Sequence, residues 1–152
     1  MSTDIERQTP AKAVVRRFYQ ELFNTGDMRG APEILAPDYV HFTPRANVAG
    51  VDGIGRVIHS DRLGFPDVQF TLDEMVQEGD TVVAFWTARG THTGETDEGR
   101  LNGIPPTGRK TRWTGVTKFR VAPDGRIRET RILQDQMAML EGLGVLLQPP
   151  RS

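Results

Sequence analysis

The chain contains no cysteine, which excludes a disulfide framework, a thiolate zinc site and a cysteine nucleophile. That fits a reducing interior. No run approaches the roughly 20 apolar residues needed to span a bilayer, and the opening MSTDIERQTP carries both charge signs in place of the apolar centre of a secretory signal. An excess of one charge is also missing. With Lys+Arg 19 against Asp+Glu 20 and a net charge of -1, there is no broad field to hold a phosphate backbone or an anionic membrane. Neither GxGxxG nor a P-loop occurs, so no glycine-rich phosphate cradle is written into the chain. These absences predict a soluble, cytoplasmic protein with no nucleic-acid or membrane partner. A chain of 152 residues is expected to form one domain, 1–152, with its core at about 11–147.

What is present divides into helical and strand-like stretches. In TPAKAVVRRFYQELFNTGD, Thr9 can cap, Pro10 suits the first helical position, and Ala11, Val14, Val15, Phe18 and Leu22 form one apolar stripe. The spacing predicts a helix ending near Asn24 to Gly26. A short helix is expected over Ala31 to Leu35, stopped by Pro37 and followed by a brief strand, YVHF. VDGIGRVIHSDRLG reads as a helix weakened by its glycines and in need of support from what it lies on. Alternation then takes over. FPDVQFTL, TVVAFWTARGTHTG, TRWTGVTKFRV and RIRETRILQD read as four long antiparallel strands, with turns at EGD and APDG and a loop at LNGIPPTGRK. QMAMLEGLGVLL closes the chain as a helix.

Helices followed by a strand meander predict an α+β fold with the helices on the concave face of one curved sheet. Such a sheet encloses a pocket, its surroundings drawn from Phe18, Tyr19, Phe42, Phe85, Trp86, Trp113 and Phe119. In the second long strand, Val83, Phe85, Thr87 and Arg89 lie opposite Val82, Ala84, Trp86 and Ala88. Both sets hold large apolar groups, which predicts burial of both sheet faces and a homodimer or higher homo-oligomer through the sheet.

Taken in order, FYQELFNTGD, LAPDYVHFTP, FPDVQFTLDEMVQEGDTVVAFWTARGTHTG, GIPPTGRK and RILQDQMAMLEGLG resemble the SnoaL-like polyketide cyclases, also called ester-cyclase-like proteins, of the nuclear transport factor 2-like superfamily. The resemblance runs from about Ala11 to Leu147 and implies a cone-shaped, cystatin-like roll. It also implies that Asp135, in LQDQ, is the general acid and base of an intramolecular aldol closure. Tyr19 matches the tyrosine that gives an oxyanion hydrogen bond in the related ketosteroid isomerases. The isomerase base and second acid fall near Thr43 and Thr117, neither of which takes a proton at neutral pH, so steroid-type isomerisation is disfavoured.

An aldol closure needs a proton taken from carbon, an enolate stabilised and a proton given to the new alkoxide. Conjugated carbonyls of a polyketide would spread the enolate charge, so no cofactor and no metal are expected. Asp135 would need a dry cavity that raises its pKa. Its competing role is a helix N-cap, in which amide hydrogen bonds lower the pKa instead; Ala138 cannot complete a capping box. His41 shares strand parity with Tyr39 and Thr43 and is a candidate donor or relay, although a structural histidine suits the position as well. Arg131 shares parity with Asp135 and is either a ligand for a substrate carbonyl or carboxylate or part of a solvated edge. Phe42, Trp86 and Trp113 are candidate substrate walls or core. His59 and His92 read as structural, and the three histidines lie in separate elements with no ligand spacing. The expected activity is ring closure of a hydrophobic, polyketide-like ester by Asp135, with Tyr19, His41, Phe42, Trp86, Trp113 and Arg131 positioning it. The competing functions are an epoxide or related hydrolase, which needs a second carboxylate, and a small-molecule-binding or assembly module without chemistry.

Overall fold

Thr9 opens the first helix as its sequence suggests, its hydroxyl accepting from the Lys12 amide at 3.1 Å, with Pro10 in the first turn. A computed structural model describes residues 7–96 and 101–145 of the chain. Helix α1 (Pro10–Arg17) continues without a break into a π-helical segment, Phe18–Phe23. Its wider winding is closed by the Asn24 amide donating to the Tyr19 carbonyl at 2.8 Å. Phe18, Tyr19, Leu22 and Phe23 are all buried there.

Helix α2 (Ala31–Ile34) gives way to β1 (Leu35–Phe42), so Pro37 lies inside a strand instead of ending a helix. The reason is local. The register of β1 against its neighbour breaks between Leu35 and Val40, and Pro37, exposed in that gap, owes no ladder hydrogen bond. A short β2 (Asn47–Ala49) leads into α3 (Gly50–Gly64), then β3 (Gln69–Glu78), β4 (Thr81–Thr91), β5 (Lys110–Val121), β6 (Ile127–Gln134) and α4 (Gln136–Gly142). The part of the expected closing helix beyond Val145 lies outside the described residues.

The strands form one sheet of order β2-β1-β6-β5-β4-β3. All neighbours are antiparallel except β1 and β6, which run parallel. Helices α1 and α3 and the π-segment cover one face. On that inner face Val82, Ala84, Trp86 and Ala88 are buried, and Phe18, Tyr19, Phe23, Phe70 and Trp86 meet edge-on or tilted at centroid distances from 5.1 Å to 6.3 Å. Gly115 makes that packing possible, since a Cβ there would come within 2.2 Å of the Trp86 ring. Gly53 does the same for α3, where a Cβ would meet a Val48 methyl at 2.5 Å.

The outer face differs. Phe85, Val116 and Leu133 are cross-strand neighbours there, Phe85 44% and Leu133 61% exposed. Burial on both faces, expected from the alternation in β4, is therefore not present within one chain. Among the described residues no helix is long and apolar enough to cross a membrane.

Candidate functional site

Between the inner face of the sheet and α3 lies a partly open cavity of about 570 Å³. Its wall is apolar where Phe18, Phe23, Phe70, Val57 and Ile132 line it, and polar at Tyr19, His41, Thr43, Thr117 and Gln134. Helix α3 contributes Gly53, Arg56, Val57, Ser60 and Asp61, one stripe at helical spacing. Asp61 is half-buried and has an interaction of its own.

His41 is 3% exposed, and its Nδ1 lies 2.6 Å from the Thr130 hydroxyl oxygen. That oxygen is also 2.5 Å from the Tyr39 hydroxyl. Tyr39, Thr130 and His41 are all buried, so each O–H needs an acceptor. A single arrangement within the trio satisfies both hydroxyls. Tyr39 donates to Thr130, Thr130 donates to His41 Nδ1, and the ring then carries its proton on Nε2. Burial pushes the His41 pKa down from its usual 6.5 to about 4, so the imidazole is neutral at pH 7. The result is an N–H donor in the cavity wall, held in one tautomer by two hydroxyls behind it.

A second donor stands nearby. The Trp86 indole N–H donates to the Thr117 hydroxyl oxygen at 3.0 Å, and the Tyr19 hydroxyl lies 2.8 Å from that same oxygen. Whichever of Tyr19 and Thr117 donates to the other, one hydroxyl hydrogen remains without an acceptor among the described residues. Both residues line the cavity. Burial raises the Tyr19 pKa, so its hydroxyl stays protonated and can only donate or accept as a neutral group.

Of the residues singled out in the sequence, the cavity brings together Tyr19 and His41. Asp135 is not there. On β6 Ile132, Leu133 and Gln134 line the cavity, whereas Asp135 is exposed and lines a shallow groove with Asp73, Phe85, Thr114 and Val116, a groove that Leu133 and Gln134 also border. Its Oδ1 accepts the Ala138 amide at 2.9 Å as the N-cap of α4, a bond that forms without the glutamate of a capping box. The expected placement of this carboxylate in a dry hollow is corrected accordingly.

Phe42 and Arg131 turn away from the cavity as well, the Arg131 guanidinium lying 4.6 Å from the Phe42 ring centroid. Strand parity is the cause: Phe42 follows His41, and Arg131 follows Thr130. Trp86 and Trp113 are core, not substrate wall. Trp86 supports Tyr19 from behind, and Trp113 packs on Phe65 at 5.2 Å and donates its indole N–H to Gln134. His59 is exposed outside the cavity wall, and His92 is buried beside Phe65.

Sequence reasoning missed Asp61, Arg56 and Arg45 as lining one cavity, and Thr130 as the hydroxyl behind His41. The α3 residues had a signal, since positions 53, 56, 57, 60 and 61 repeat at 3.6. Thr130 had none, because its partners come from β1. Thr43 and Thr117, at the positions of the isomerase base and acid, do both line the cavity.

Residues 13–143 match the family described as SnoaL-like polyketide cyclase. The chain belongs to this family. No curated protein matches the sequence. Among solved structures, IdmH from Streptomyces antibioticus, named as a candidate polyketide cyclase, is 33% identical with a TM-score of 0.74, over 91% of this chain and 100% of that one. A candidate SnoaL-like polyketide cyclase from Jannaschia sp. CCS1 gives a TM-score of 0.79 at 23% identity, over 99% of each chain. AclR from Streptomyces galilaeus, a candidate hydroxylase, is 25% identical with a TM-score of 0.74, over 93% of this chain and 89% of that one. These solved structures share the α+β fold found here, and their names span more than one chemistry.

Proposed function

We propose that the protein is a cofactor-free enzyme acting on an enolisable, carbonyl-bearing hydrophobic small molecule, most concretely in the ring closure of a polyketide-like ester. The observation that carries this reading is the pair of neutral donors, His41 Nε2–H and the Tyr19–Thr117 hydroxyl, in the wall of one apolar cavity. Two such donors aimed at a carbonyl oxygen stabilise the enolate that forms when the adjacent carbon loses its proton, and later the alkoxide of the closed ring. Neutrality matters. At pH 7 His41 is the neutral imidazole, whose N–H can donate to the oxygen as negative charge develops there. Asp61 is the carboxylate in the same wall and is the candidate to exchange the carbon-bound proton.

We assign the role first expected of Asp135 to these groups, because its carboxylate is exposed, does not line the cavity and accepts the Ala138 amide. An epoxide hydrolase would need two carboxylates converging on water, and among the described residues the cavity wall contains Asp61 alone. The test is incubation with a panel of aromatic β-keto esters and epoxides, comparing wild type with His41→Phe and Asp135→Asn. Turnover of keto esters that is lost in the first variant and kept in the second supports the reading; the reverse pattern returns the chemistry to Asp135.

We further infer that a second copy covers the row Phe85–Val116–Leu133 on the outer face. Leaving such a row of apolar side chains in water is unfavourable, and a twofold pairing of sheets would bury it. Sedimentation of Leu133→Asp should show a monomer where wild type sediments as a dimer.

A further inference from the structure

The rim of the cavity carries charge that the enolate chemistry leaves unused. Arg45 and Arg56 both line the cavity and both are exposed, which puts them where it opens to solvent. They come from different elements. Arg56 lies on the cavity-facing stripe of α3, and Arg45 lies in the turn between β1 and β2. The Thr43 hydroxyl fixes that turn, accepting from the amides of Arg45 at 3.2 Å and Ala46 at 2.9 Å and donating to the Ala46 carbonyl at 2.7 Å. Gly53 lets α3 close on Val48, so the turn and the helix frame the same opening.

Elsewhere the chain pairs its arginines where a carboxylate is near: Arg17, Arg29, Arg120, Arg126 and Arg128 each lie within 3.7 Å of an acidic oxygen. Neither Arg45 nor Arg56 has an ion-pair partner among the described residues. Asp61, the acidic residue of the wall, is half-buried and already engaged. A guanidinium fork is preorganised for a planar oxyanion, and two forks over an apolar hollow attract an anion while the hollow takes its hydrophobic body.

We propose that Arg45 and Arg56 form a carboxylate-binding rim, so that the ligand is an amphipathic acid whose apolar ring or chain enters the cavity while its carboxylate stays at the mouth. This rests on the proposed function only in treating the ligand as a substrate. It narrows the substrate class from a fully esterified molecule to one with a free acid, the ketone to be enolised lying deeper, at His41 and Tyr19. The carboxylate takes no part in bond making; it sets register.

The experiment uses anthracene-2-carboxylate and its methyl ester, which share an apolar body and differ in charge, with binding followed by anthracene fluorescence. Ile132→Trp, which fills the cavity, supplies the background from any other surface. Wild type should bind the acid at least about tenfold more tightly than the ester. Arg45→Gln/Arg56→Gln should lose about tenfold or more for the acid and stay within about twofold for the ester, and added salt should weaken only the acid. Equal binding of acid and ester by wild type overturns the proposal, as does a double variant that binds the acid unchanged or loses both ligands together. His41→Phe should keep the preference for the acid while losing turnover, so failure of the rim and failure of the enolate chemistry give different results.

Discussion

The two faces of the sheet place their polar groups under opposite conditions. On the inner face, His41, Thr130 and Tyr39 are buried and bonded in a chain that leaves one donor at the cavity. On the outer face, Asp135, Arg131 and Leu133 are exposed, and the carboxylate is committed to a helix amide. A single residue step along β6 separates them. The difference teaches that position decides what a side chain can do: an exposed carboxylate that accepts a main-chain amide serves as a helix cap. The buried, hydrogen-bonded His41 imidazole is neutral at pH 7 and lines the cavity.

The comparison breaks first at His41. His41→Phe should reduce keto-ester turnover by about 10²–10³-fold, the usual loss for removing one oxyanion donor; a variant retaining a third of wild-type kcat/KM would remove His41 from the chemistry. Next is the response to acid. The folded pKa of His41, about 4, lies below the unfolded value of 6.5, so the unfolded chain binds the extra proton between these limits. The stability tied to neutral His41 is therefore fully present above pH 6.5 and disappears as pH falls through about 4. The amount at stake is on the order of 3 kcal/mol. Burial lowers the His92 pKa in the same direction, so its share must be separated. Urea titrations at neutral and acidic pH, run on wild type and His41→Phe, should show the smaller drop in the variant.

Thr130→Val tests the hydroxyl chain behind the ring. It leaves the Tyr39 hydroxyl without its acceptor at a cost of about 1–3 kcal/mol, and it frees His41 to adopt either tautomer. Nitrogen NMR should report the Nε2–H form in wild type and a mixture in the variant, with kcat falling more than KM rises. A single unchanged tautomer would show that Thr130 does not lock the ring. The smallest effect belongs to the outer face. Asp135→Ala should cost about 1 kcal/mol as a lost cap, whereas Asp135→Asn, an equally good cap, should melt like wild type. Turnover should stay within about twofold in both.

Much of the fold was legible before any coordinates. Thr9 and Pro10 announce α1, the alternation of Val68 and Phe70 announces β3, and Gly79 and Gly125, both at positive φ, mark the turns expected at EGD and APDG. Pro37 misled because a bulged strand edge tolerates proline as readily as a helix end does. The site was half legible. Tyr19 and His41 were named from local pattern and resemblance, but Trp86, Trp113, Phe42 and Arg131 were ambiguous between faces, and periodicity on a strand cannot say which parity points inward.

Composition and pattern alone determined that this chain has no thiol chemistry, carries almost no net charge, and folds as helices on an antiparallel meander, because those follow from residue type and spacing within one segment. Which polar groups face the cavity was decided by tertiary structure. The parallel pairing of β1 with β6 brings Thr130 to His41 across 89 positions of sequence, and the start of α4 turns Asp135 into a cap. Burial and hydrogen-bond partners contributed by distant segments set whether a side chain is charged, neutral or spent.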